Sequence, residues 1–109
     1  MRILFDNGVP NPIARSLPLH EVSFARRIGW HELKNGELLK KAEQAGYDLL
    51  LISDKNMRYQ QNLSARKIAI VVLGRQQWPD VRLCLDRIAE AINSAAPGSF
   101  TEVDIPHSS

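Results

Sequence analysis

The sequence has little of what marks secreted, membrane or zinc-binding proteins. Its 109 residues include one cysteine, Cys84, so no disulfide can form within the chain. The three histidines show none of the spacings of zinc sites, and no apolar run is long enough to span a bilayer. Asp6 interrupts the short apolar run at the N-terminus, which argues against a signal peptide. These absences predict a cytoplasmic protein with no membrane partner.

The composition is that of an ordinary globular domain with a small excess of positive charge. Apolar residues make up 44% of the chain and charged residues 24%, and the formal net charge is +2. A length of 109 residues fits one domain spanning 1–109, with a frayed tail expected at 106–109. The charge favours a polyanionic partner only weakly, so local arrangement has to decide that question.

Apolar runs at residues 3–5, 49–52 and 68–73 predict strands that are buried on both faces. Such strands are typical of a parallel sheet that helices cover on both sides. Alternating patterns at 21–24 and 100–105 predict two further strands. Helices are predicted between the strands, as crossover connections require. The expected fold is a three-layer α/β/α domain with a central, mainly parallel sheet.

Helical periodicity predicts the helices that alternate with these strands. One short helix is expected at 13–17 and a longer one at 79–93. Between them, Asn35 is predicted to cap a helix that ends at Gly46, a residue suited to a left-handed C-terminal cap.

Two aspartates, Asp6 and Asp54, come directly after apolar strands. Ligands of open parallel sheets bind beyond the carboxyl ends of the strands, so these carboxylates converge if the two strands are neighbours. A third acid, Glu37, lies in the first turn of the helix that precedes the Asp54 strand. Asp48 precedes its strand and is therefore expected at the opposite edge of the sheet.

Three acids held close together repel one another, and a bound cation is the usual remedy. Hard oxygen ligands favour Mg²⁺ or Mn²⁺. An ion at this edge can orient a phosphodiester and activate a water molecule. Four basic residues are placed in sequence to hold a nucleic-acid backbone there: Lys55, Arg58, Arg26 and Arg27.

Each acid also has an ordinary structural interpretation. Asp6 precedes Asn7 and Gly8, and can simply be a turn residue. Asp54 can cap the segment that follows it, and Glu37 can favour the positive end of its helix. The position of two acids at strand ends is what points beyond these interpretations to a metal site.

Several stretches together resemble small, single-domain PIN-like proteins: the opening RILFDNGVP, the block GWHELKNGELLKKAEQAGYDLLLISDKNMRYQQNL, and IAIVVL. The resemblance covers nearly the whole chain. It implies a PIN-like fold with an acidic pocket for Mg²⁺ or Mn²⁺, in which Asp6, Glu37 and Asp54 match the acidic positions of the family. It also implies an endoribonuclease, a hydrolase that acts as the toxin of a bacterial toxin–antitoxin pair. The implied partners are RNA, a cognate antitoxin and a second copy of the chain.

Two positions depart from the family pattern and open a second interpretation. Asn7 stands where relatives commonly have glutamate, and Asn56 where many have aspartate. Each keeps an oxygen for a secondary metal contact but removes a negative charge. The alternative is therefore a weak or inactive module that binds a protein or RNA. A phosphoacceptor domain is a third possibility, although no lysine occurs after Lys67.

Overall fold

The computed structural model of the protein describes residues 1–53 and 67–107. Its centre is a five-stranded sheet in which every pair of neighbours is parallel, in the order β2-β1-β3-β4-β5. The strands are β1 (Arg2–Phe5), β2 (Glu21–Phe24), β3 (Leu49–Ile52), β4 (Ala69–Leu73) and β5 (Phe100–Val103). The prediction of an α/β fold on a parallel sheet is confirmed.

Helices connect the strands: α1 (Asn35–Gln44), α2 (Trp78–Val81) and α3 (Leu85–Ser94), with 3₁₀ helices at Asn11–Ser16 and Arg82–Cys84. The single helix predicted at 79–93 is wrong in detail. At Cys84 the backbone leaves the helical region, with φ −119° and ψ 18°, and the chain restarts as α3. The apolar stripe survives this break, because Val81, Ile88 and Ile92 are all fully buried.

The prediction for α1 was wrong at the start of the helix and right at its end. The helix begins at Asn35 itself, so the cap position belongs to the extended residue Lys34, whose carbonyl accepts the first helical hydrogen bond from Leu38 at 2.7 Å. The predicted Asn35 cap is therefore wrong. At the other end Gly46 adopts φ +84°, and Tyr47 N–H donates back to the carbonyl of Ala42 at 3.0 Å. This closure is the left-handed cap that the sequence predicts.

Both faces of the sheet are covered, which makes the domain three-layered. On one face, Phe5, Leu51 and Val71 pack with Ile13 of the first 3₁₀ helix and Ile88 of α3. The opposite face packs against α1 through the side chains of Leu4, Leu50, Ile52, Leu38 and Leu39. In the described residues no helix is long and apolar enough to cross a membrane.

Candidate functional site at the carboxyl edge of the sheet

The strand order reverses between β1 and β3, and the carboxyl ends of these two strands form the crevice where such sheets bind ligands. Phe5 pairs with Leu51, so the strands that precede Asp6 and Ser53 are direct neighbours. The condition for the two acidic positions to converge is therefore met in the backbone. Asp54 itself lies outside the described residues.

Asp6 is fixed at this edge by its backbone. Its N–H donates to the carbonyl of Leu51 at 3.0 Å, and its own carbonyl accepts the N–H of Val9 at 3.1 Å. The first bond extends the β1–β3 ladder by one residue, and the second closes a turn. The half-buried side chain of Asp6 is thereby held at the switch point between β1 and β3.

A small cleft of about 70 Å³ joins Asp6 to the predicted basic pair. Asp6, Asn7, Arg26 and Arg27 all line it, and both arginines are exposed. The guanidinium of Arg27 lies 4.6 Å from the centre of the Phe24 ring, a distance at which a cation is attracted to an aromatic face. The fold therefore brings the carboxylate of Asp6 together with the two arginines that the sequence predicts to hold a nucleic-acid backbone.

The turn after β1 is tied to the loop that leads into α1. The Nδ2 group of Asn7 donates to the backbone carbonyl of His31 at 2.6 Å. This bond spans 24 residues of sequence and holds the loop before α1 beside the Asp6 turn. Glu37, the third predicted acid, is exposed in the first turn of that helix.

The structure describes only part of the predicted metal site. Among residues 1–53 and 67–107, no three or more His, Cys, Asp and Glu side chains form a group that could hold a metal ion. The predicted triad has two members in that part, Asp6 and Glu37. The segment 54–66 lies outside the described residues. It contains Asp54 and three further predicted site residues, Lys55, Asn56 and Arg58.

Sequence reasoning missed a close contact among three loops at this edge. The hydroxyl of Ser53 donates to Oε1 of Gln76 at 2.9 Å, and both groups press against Gly8. A Cβ atom on Gly8 would clash with both Ser53 Oγ and Gln76 Oε1. A side chain at position 8 would therefore force Ser53 and Gln76 to shift where the loops after β1, β3 and β4 meet. The only signal in the sequence was a glycine two residues after a strand-end aspartate.

The burial of Asp80, which the sequence suggests only as a residue that caps the last helix, was also not predicted. Asp80 is 3% exposed and is the one buried charged side chain in the part of the chain that the structure describes. Nδ1 of His107 lies 3.3 Å from its Oδ1 atom, which ties the chain beyond β5 to α2. Asp80 stands in the first turn of α2, whose cap position is Gln77.

A larger cleft than the one beside Asp6 lies at the opposite, amino edge of the sheet. Its volume is about 510 Å³, and Tyr47, Asp48 and Lys67 are among its lining residues. Asp48 is at that edge as predicted, and its Oδ2 atom accepts the backbone N–H of Arg2 at 2.8 Å. The Arg2 guanidinium donates to the carbonyl of Ala45 at 2.7 Å and lies 4.6 Å from the Tyr47 ring centre. These contacts make Asp48 a structural residue.

No family model, curated protein or solved structure matches this chain. The PIN-like resemblance therefore stays a prediction, and function has to be inferred from the placement of the side chains.

Proposed function

We propose that the protein is a Mg²⁺- or Mn²⁺-dependent endoribonuclease, acting as the toxin of a bacterial toxin–antitoxin pair. The observation that supports this proposal best is the cleft shared by Asp6, Arg26 and Arg27 at the carboxyl ends of β1 and β2. A strand-end carboxylate beside two exposed cations suits a ligand that carries both a metal ion and phosphates. The toxin role and a cognate antitoxin come from the family resemblance alone.

The donor set fits a hard divalent cation, since its members are carboxylates. Asp6, with Glu37 and Asp54, would hold the ion, which when bound would stabilise charge on the phosphodiester and lower the pKa of an attacking water. Asp6 is suited to this role because two backbone hydrogen bonds fix its position before any ligand arrives. Asn7 and Asn56 would supply secondary oxygen contacts.

The basic residues would bind and orient the RNA backbone. Arg27 stacks on Phe24, and this stacking holds the guanidinium beside the cleft. A planar guanidinium can donate two parallel hydrogen bonds to one phosphate, which a lysine cannot do. Arg26 lines the same cleft and adds a second charge. Lys55 and Arg58 would contact further phosphates along the RNA.

A manganese titration by calorimetry tests the proposal. Wild type is compared with Asp6→Asn/Asp54→Asn, and with Asp86→Asn as a control that removes a carboxylate on the exposed side of α3. We expect binding by wild type and the control, loss of binding in the double variant, and metal-dependent cleavage of single-stranded RNA that follows the same pattern. Absence of binding by wild type at millimolar metal would overturn the catalytic proposal.

A binding module without catalysis is the second candidate, and the contact between Asn7 and His31 favours it. The amide nitrogen of Asn7 holds a loop through its hydrogen bond to His31. This bond accounts for an asparagine at position 7 without any bound metal. In this case RNA or a protein partner would bind at the Arg26–Arg27 cleft without metal. Retention of RNA binding by Asp6→Asn, with no cleavage by wild type, would identify this function.

One observation supports the phosphoacceptor alternative and another counts against it. The strand order 2-1-3-4-5 is the flavodoxin-like order, in which receiver domains of response regulators are also built. That chemistry needs a lysine after a late strand. Here β4 is followed by Gly74 and β5 by Asp104. We therefore do not propose it.

A further inference from the structure

Among residues 1–53 and 67–107, β2 forms one edge of the sheet. The N–H groups of Glu21 and Ala25 both donate to carbonyls of the β1 segment, each at 2.9 Å. Backbone groups alternate between the two sides of a strand. The N–H groups of Val22 and Phe24 therefore point away from β1, as does the carbonyl of Val22. In the part of the chain that the structure describes, no strand lies on that side, since β2 is an outermost strand of the sheet.

This edge lacks three of the features that prevent strand pairing, although the strand is only four residues long and begins with the exposed Glu21. Edge strands are commonly protected by proline, lysine or a bulge. The four residues Glu21–Phe24 contain neither proline nor lysine, and their register with β1 is continuous. Apolar side chains flank the strand instead. Leu19 is 91% exposed just before it, and Ile28 is 39% exposed just after it.

The other edge strand is different. The backbone carbonyl of Asp104, just beyond β5, accepts a hydrogen bond of 2.7 Å from the guanidinium of Arg87. Two acidic residues, Glu102 and Asp104, also stand on or next to that strand. Like charges at an edge discourage pairing with a second copy. Of the two edges, β2 is therefore the one suited to self-association.

We propose that β2 pairs antiparallel with β2 of a second copy of this chain, about a two-fold axis at Val22, to form a continuous ten-stranded sheet. In this register the two Val22 residues exchange both backbone hydrogen bonds. The N–H of Phe24 then reaches the carbonyl of the partner's His20. The Phe24 carbonyl needs no partner there, because it already accepts the N–H groups of Arg27 and Ile28 at 2.9 and 3.2 Å.

Charge favours a second copy in this orientation. The strand begins with Glu21 and is followed at its end by Arg26 and Arg27. Antiparallel self-pairing brings the acidic start of one strand towards the basic end of the other, whereas parallel pairing would align like charges. A two-fold axis satisfies the pairing on both copies at once. The proposal does not depend on the nuclease proposal, although it would place Leu19 of the partner subunit beside the Arg26–Arg27 cleft.

A designed disulfide tests the register directly. In a Cys84→Ser background, Val22→Cys would face its own symmetry mate at a Cα separation of about 5.5 Å, within the range of a disulfide. The matched control is Ser23→Cys, which lies two positions from its symmetry mate and beyond the roughly 7 Å that a disulfide spans. We expect a covalent dimer from Val22→Cys and none from Ser23→Cys under mild oxidation. Equal cross-linking by both variants, or by neither, would overturn the proposal.

Analytical ultracentrifugation over a concentration series supplies the second test. Wild type should show a monomer–dimer equilibrium, and Val22→Pro should remain monomeric. Proline removes an N–H that makes no bond to β1, so the fold should tolerate it at this edge, which circular dichroism will check. Val22→Thr keeps the N–H and should dimerise like wild type. A wild type that stays monomeric throughout, or a dimer that persists in Val22→Pro, would contradict the proposal.

Discussion

The side-chain amide of Asn7 donates a 2.6 Å hydrogen bond to the backbone carbonyl of His31. This single bond connects the turn after β1, where Asp6 lies, to the loop that leads into α1, where Glu37 lies. The residue that departs from the family pattern thus has a role in the architecture of the proposed site. Its effect on the fold can be separated from any effect on metal binding.

Replacement of Asn7 should loosen the loop before α1. We expect Asn7→Ala to lower the free energy of unfolding by about 0.5–1.5 kcal/mol, the contribution of one hydrogen bond. Urea denaturation followed by circular dichroism measures this change. Asn11→Ala serves as the control, because Asn11 is an exposed asparagine that lines the same cleft from the first 3₁₀ helix. An equal loss in both variants would show that the His31 contact contributes nothing.

A side chain at position 8 should clash with the loops after β3 and β4. We expect Gly8→Ala to lower the free energy of unfolding by about 0.5–1.5 kcal/mol, because the Ser53 and Gln76 side chains must shift and give up their hydrogen bond. Ser53→Ala removes the atom nearest to the new Cβ, so the double variant should recover part of the loss. Denaturant unfolding of the four proteins of this cycle gives the coupling. Strict additivity of the two changes would contradict the predicted clash.

The sheet was predictable because its central strands are apolar without interruption. Burial on both faces leaves no polar positions in β3 and β4, a pattern that few other structures share. The left-handed end of α1 was predictable from Gly46 for a local reason, since only glycine adopts φ +84° at no steric cost. The start of α1 was not, because Asn35 and Lys34 differ by one position and boundaries of helices are weakly encoded.

Only those site residues whose place follows from their own strand or turn were predictable from the sequence. The carboxyl end of β1 places Asp6 at the carboxyl edge of the sheet, whereas the crevice there depends on β3 lying next to β1. The bond between Ser53 and Gln76 joins residues 23 positions apart, and the contact between Asp80 and His107 joins residues 27 apart. Neither pair has a periodicity or spacing that sequence reasoning can use, because each depends on which loops the fold brings together.

The buried carboxylate of Asp80 should contribute more to stability than its exposed partner. We expect Asp80→Ala to lower the free energy of unfolding by about 1–3 kcal/mol, since it removes an acceptor from a buried site. His107→Ala should cost at most about 1 kcal/mol, because the His107 side chain is 72% exposed. Urea denaturation of both variants provides the comparison. A larger loss from His107→Ala than from Asp80→Ala would refute this ranking.

The Arg26–Arg27 pair should carry a measurable part of RNA binding in either proposed function. We expect Arg26→Ala/Arg27→Ala to weaken binding of single-stranded RNA in fluorescence anisotropy. The slope of log K against log salt should fall in magnitude by about 0.7 for each phosphate that the variant no longer neutralises. Arg82→Ala, which changes an exposed arginine of the second 3₁₀ helix, should leave both affinity and slope unchanged. If the double variant kept the wild-type slope, the cleft beside Asp6 would not be where the nucleic-acid backbone binds.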